Sequence, residues 1–111
     1  MALLVTSQNP AVLKNKIHQG IKEERLRTWI FHPDGIHFTH KAEQWKEKAW
    51  FKMTAEKETL TFNIVRNQSS AITVDIYAEY NGLLLRMLLA DFSTDFSVVR
   101  ATATATTGDV V

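Results

Sequence analysis

Apolar residues recur along this chain in two rhythms, and the longest apolar stretch, Ile72 to Phe92, can be read in either. At helical spacing Ile72, Ile76, Tyr80, Leu83, Leu84, Met87 and Leu88 share one stripe, with Asp75, Glu79, Gly82 and Arg86 on the other side. At period two, Ile72, Val74, Ile76, Ala78 and Tyr80 alternate with Thr73, Asp75, Tyr77 and Glu79, and Asn81-Gly82 is a favoured hairpin dipeptide. Leu83 to Leu89 is rich in Leu and Met and has no β-branched residue. That favours a helix of about five turns with Ser70 as N-cap, and leaves the hairpin as its rival. Asp75, Glu79, Arg86 and Asp91 in the stretch speak against a membrane span.

The other elements fall around this helix. Asn9-Pro10 predicts a helix start, and Leu13, Ile17 and Ile21 give it an apolar stripe out to about Arg25, weakened by Gly20. Arg27 to His32 and Ile36 to Lys41 alternate around Pro33-Asp34-Gly35, which predicts a hairpin with glycine in the left-handed bulge position. In that register Ile30 opposes Phe38 and Thr28 opposes His40. Ile30, Ile36 and Phe38 then share one face, and Trp29, Phe31, His37 and Thr39 the other.

Ala49 to Thr54 and Thr59 to Val65 predict two more strands joined by a charged turn, with Met53 opposite Leu60 and Phe51 opposite Phe62. Asp95 to Ala101 reads as a last strand, and Ala2 to Thr6 as either a short strand or a mobile end. The expected fold class is α+β: an antiparallel meander sheet of four to five strands with two helices on one face, in the order α-β-β-β-β-α-β. Residues 1–103 form a single domain in this reading, and 104–111 a flexible C-terminal tail. The expected core is Leu13, Ile17, Ile21, Ile30, Phe38, Phe51, Phe62, Ile64, Ile76, Tyr80, Leu84, Met87 and Leu88.

Composition narrows the function classes. A net charge of +1 over 111 residues argues against a dedicated polyanion binder. The charge is uneven: residues 1–66 carry eleven of the thirteen cations against seven acids, and residues 67–111 carry two against five. With no cysteine, disulfides, thiolate catalysis and cysteine-ligated zinc are excluded. That absence, with no basic leader ahead of a long apolar run, places the expected location in the cytoplasm.

Candidate chemistry is sparse. His32, His37 and His40 lie within nine residues, but on the expected hairpin His37 has the opposite parity to the other two, so no shared metal and no cofactor is expected. No nucleophile elbow, HExxH pair or glycine-rich phosphate loop occurs, and catalysis is not the expected activity. Lys46 and Lys48 interleave with Trp45 and Trp50 in the manner of single-strand nucleic-acid binders, diluted by Glu43 and Glu47. Tyr77 or Tyr80 could offer a polar handle in a pocket for a small apolar ligand between sheet and long helix. The leading expectation is a non-enzymatic interaction module, a homodimer formed through a sheet face bearing Trp29, Phe31 and Trp50.

Overall fold

In the computed structural model, which describes residues 1–111, the chain runs β1 (Leu3–Thr6), α1 (Pro10–Lys22), β2 (Trp29–Phe31), β3 (Phe38–His40), β4 (Ala49–Glu56), β5 (Thr59–Arg66), α2 (Val74–Asp91) and β6 (Val98–Ala101). The six strands form one antiparallel sheet in the order β2-β3-β4-β5-β1-β6. The α+β class and the β2 to β5 meander follow the sequence expectation. The sheet has one strand beyond the expected four to five, because Leu3–Thr6 is a full member of it. β1 lies between β5 and β6, pairing Leu3 with Phe62 on one side and Ala101 on the other. Leu3 and Val5 are buried by this insertion and join the core.

The stretch from Ile72 to Phe92 is helical. Its N-cap is Thr73 rather than Ser70: Thr73 Oγ1 accepts the Ile76 N–H at 3.2 Å, and Asp75 sits in the first turn where the helix dipole favours an acid. Ile76, Tyr80, Leu84, Met87 and Leu88 are buried, each contributing about 1.5–3 kcal/mol of apolar burial for a side chain of this size. α1 starts at Pro10 as expected, but the Asn9 side chain makes no cap bond; the Asn9 N–H donates to Ser7 Oγ at 3.2 Å instead. α1 stops at Lys22, three residues short of the expected end. The chain folds back there, the Arg25 and Leu26 N–H groups both donating to the Gly20 carbonyl, with Glu24 at φ 60. Gly20 serves this reversal directly, since a Cβ there would lie 2.7 Å from Leu26 Cδ1.

β4 and β5 pair two residues away from the expected register, Met53 with Phe62 and Phe51 with Ile64, around the two-residue turn Lys57-Glu58. An even shift keeps every side chain on its face, so Phe51, Phe62 and Ile64 are buried as expected, with Met53, Leu60 and Ala49 beside them. β2 differs by an odd shift. Trp29 pairs with His40 and Phe31 with Phe38, which turns the strand over. Trp29 enters the core at 3% exposure, while Ile30, expected inside, is 39% exposed.

Residues 104–111, expected as a flexible tail, return to the sheet. Val110 forms a parallel bridge with Val65, the Arg66 N–H donates to the Val110 carbonyl at 2.7 Å, and the Val110 N–H donates to the Ile64 carbonyl at 2.9 Å. The Asp109 side chain is wholly enclosed. It accepts from Asn63 Nδ2 at 2.8 Å, Ile64 N–H at 3.2 Å and Thr106 N–H at 2.8 Å, and lies 3.1 Å from the Met1 ammonium. Burial alone would raise its pKa. The donors from Asn63, Thr106, the chain terminus and Ile64 outweigh that and hold the carboxyl below its ordinary value.

A carboxyl whose pKa is depressed by folding stabilises the native state above its unfolded value of about 4, and the contribution is lost as pH falls through the folded value. Replacing Asp109 with alanine takes the acceptor from the Ile64 and Thr106 N–H groups and leaves the Asn63 amide with the Thr107 carbonyl as its remaining partner. Urea unfolding at neutral pH should register a loss of about 2–4 kcal/mol, with the difference from the parent narrowing below about pH 4.

Candidate functional site

The turn between β2 and β3 is longer than the sequence suggests, running from residue 32 to residue 37, and Asp34 holds it together. One carboxylate oxygen accepts the Ile36 N–H at 2.8 Å and the His37 N–H at 3.0 Å, closing a side-chain-to-backbone turn, while Gly35 adopts φ 69. The other oxygen lies 2.7 Å from His37 Nδ1. The Ile36 N–H, then the His37 imidazole and the His37 N–H, prevail over the small loss of hydration and hold the Asp34 carboxyl well below the usual carboxylate range.

These bonds also settle the two imidazoles. His37 donates through Nδ1–H to Asp34, so its neutral form carries a free acceptor at Nε2. His32 Nδ1 accepts the Asp34 N–H at 3.2 Å, so its neutral form carries a free N–H at Nε2. One ring offers a donor and the other an acceptor. The expectation that His32 and His37 stand on opposite faces is thus corrected, because both lie in the turn and not on the pleated strands. His40 is apart from them, buried, with Nε2 3.3 Å from Glu79 Oε2. No group of three His, Asp or Glu side chains is placed to hold a metal ion.

This turn forms one wall of a cleft of about 660 Å³ that also takes Trp50 from β4, Arg66 from the end of β5, Asn67 from the loop after it, and Val110. The Trp50 indole is half-buried, and the His32 ring meets it at 5.1 Å and 88°. Arg66 spends one N–H on the Gln68 carbonyl at 3.3 Å and keeps its other donors. Chemically, the cleft combines an aromatic wall, a guanidinium, a hydrogen-bond donor and an acceptor whose orientation is set by a carboxylate. An imidazole held in this way can also take a proton from a bound hydroxyl.

The residues expected to form a dimer face do not share one. Trp29 lies inside, against Phe38, Phe51, His40 and Tyr80 at ring separations of 5.4, 5.6, 5.7 and 6.0 Å. Ringed by these side chains, its indole N–H finds no oxygen. Phe31 stays half-buried against His18 of α1 at 4.5 Å, and Trp50 alone faces the cleft. Trp45 packs partly on the core while Lys46 and Lys48 are exposed. Tyr80 is fully buried; its hydroxyl donates to the Trp45 carbonyl and accepts the Ala49 N–H at 3.3 Å. The Tyr77 hydroxyl donates to the Thr102 carbonyl at 2.6 Å, so neither phenol is free as a handle for a ligand.

A second surface escaped the sequence reading. Apolar residues of α2 also lie outside its buried stripe: the side turned away from the sheet carries Val74, Leu85 and Leu89 at 76%, 37% and 56% exposure, with Ala78 and Gly82 between them and Asp75, Glu79 and Arg86 alongside. A Cβ added at Gly82 would meet nothing within 4 Å. The signal was present in the sequence, since Ala78, Gly82, Leu85 and Leu89 follow a 4-3-4 spacing, but the wider stripe from Ile72 to Leu88 masked it. No helix is long and apolar enough to cross a membrane.

Comparison with known protein families, with curated proteins and with solved structures gives no match. The two tryptophans of the expected dimer face should part company on mutation. Trp29→Ala empties the aromatic core and should cost about 3–5 kcal/mol in denaturant unfolding; Trp50→Ala, at a half-open position, should cost less than half of that.

Proposed function

We propose that the protein is a non-enzymatic interaction module that self-associates through the outer face of α2. The observation that carries this reading is the exposed apolar side of that helix, centred on a glycine with open space above it. Such a face is not needed by the monomer. An interior helical glycine costs about 1 kcal/mol relative to alanine, and at an open surface position nothing within the chain recovers it. Close approach of a second backbone does.

The geometry of a helix with 100° and about 1.5 Å per residue supports an antiparallel two-fold pair crossing at Gly82. Gly82 then meets its own copy. Leu85 falls beside Ala78 of the second copy, and Leu89 falls level with Asp75 and next to Val74, over the stem of the one and the side chain of the other. On the flank of this stripe, Arg86 comes within about one turn of Glu79 and Asp75 of the second copy. A parallel pair would place Arg86 against Arg86. Antiparallel helix dipoles favour the same arrangement. Pairing along the sheet edges has less to offer, since β2 and β6 are three and four residues long.

Light scattering coupled to size exclusion, run across a wide range of concentration, should give twice the chain mass at the upper end. Leu89→Lys should return the monomer with its fold intact. Gly82→Ala separates the roles of the position: it should raise monomer stability by up to about 1 kcal/mol and weaken association. A chain that stays monomeric at millimolar concentration would end this reading.

A further inference from the structure

The self-association reading uses neither the cleft on the other side of the sheet nor the groups gathered in it. We propose that this cleft is a binding site for a small molecule that joins a flat aromatic or heteroaromatic ring to an anionic group, the ring lying along Trp50 and the anion taken by Arg66.

Four separate stretches of chain build the cleft: the turn 32–37, β4, the end of β5 with its following loop, and the returning C-terminal segment at Val110. Its volume of about 660 Å³ is in the range of small-ligand sites. Trp50 is the only large aromatic side chain in its lining, and its indole stays partly open there, on the sheet face opposite the buried rings of Phe51 and Phe62. The ring is held by the His32 imidazole at 5.1 Å, so a stacking partner would meet a surface already fixed in place.

The polar groups are arranged rather than scattered. Asp34 is the only carboxylate in the lining, and its oxygens are engaged within the turn by two backbone N–H groups and the His37 ring. Arg66 retains free guanidinium donors, and these suit a carboxylate or a phosphate through paired hydrogen bonds. His32 and His37 add a donor and an acceptor to read the edge of a heterocycle or a hydroxyl. Ring and anion are therefore both required for full affinity: a neutral ring leaves Arg66 unused, and an aliphatic anion leaves Trp50 wet.

The test uses the full chain and defined probes: benzoate, its neutral counterpart benzamide, its non-planar counterpart cyclohexanecarboxylate, and adenosine 5′-monophosphate. Binding is followed by the Trp50 indole N–H resonance, assigned by its loss in Trp50→Phe, and by calorimetry. Benzoate or adenosine 5′-monophosphate should shift that resonance and bind about tenfold or more tightly than the counterpart lacking charge or planarity. Which of the two binds better distinguishes a carboxylate ligand from a phosphate one. Arg66→Gln should lose about tenfold in affinity with an unchanged melting temperature. Trp50→Phe should retain a stacking surface and most of the binding, where Trp50→Ala should not. Equal binding of benzoate and benzamide, an unchanged affinity in Arg66→Gln, or no response to either anion at 10 mM (about 2.7 kcal/mol of binding free energy) would overturn the proposal. None of these outcomes depends on whether α2 pairs.

Discussion

Every layer of this molecule leans on the seating of β1 between β5 and β6. Four residues near the start of the chain pair on one side with the meander and on the other with the last strand, so Leu3 has Phe62 and Ala101 as its two neighbours. Without that insertion β6 has no strand to lie against. The closure is long-range, joining parts of the chain nearly a hundred residues apart, and its loop entropy has to be met by burial of Leu3, Val5 and the residues around them. Where β1 ends, Val110 continues the hydrogen bonding of β5, and Asp109 ties that segment to Asn63 and Ile64. Both ends of the chain therefore finish the same strand edge.

The second constraint is the length of a turn. Six residues separate β2 from β3, and Asp34 binds them into a compact unit through Ile36 and His37. This length sets an odd register against the three-residue loop that Pro33-Asp34-Gly35 suggests, and an odd change exchanges the faces of a strand. Trp29 rotates into the core, Ile30 to the outside, and the imidazoles of His32 and His37 leave the pleat to gather around one carboxylate. Core and cleft are two results of one local choice.

α2 presents the opposite situation, in which one helix has two apolar faces. Tyr80, Leu84 and Leu88 fill the space over Phe51 and Trp29, with the Tyr80 hydroxyl joined to the loop that carries Trp45. Val74, Leu85 and Leu89 look outward with Gly82 in their midst. Inner and outer faces also differ in shape. The inner side has one bulky ring and closely fitted branched side chains, and the outer side is a shallow strip suited to another helix.

Periodicity alone was enough for much of this architecture. The spacing of Leu13, Ile17 and Ile21, the stripe from Ile76 to Leu88, and the alternation in β4 and β5 each mark an element and its buried side, because burial of one face imposes period 3.6 or period 2 wherever the chain lies. An even shift between β4 and β5 left those assignments intact. Which face of β2 turns inward was beyond local pattern, since Trp29, Ile30 and Phe31 are all apolar and only the bonds of Asp34 to Ile36 and His37 choose between them. The place of β1 was equally out of reach, because four apolar-leaning residues specify a strand but not its neighbours. The cleft around Trp50 and Arg66 belongs to the tertiary structure entirely: its walls come from stretches up to 78 residues apart, between His32 and Val110, and only folding brings them together.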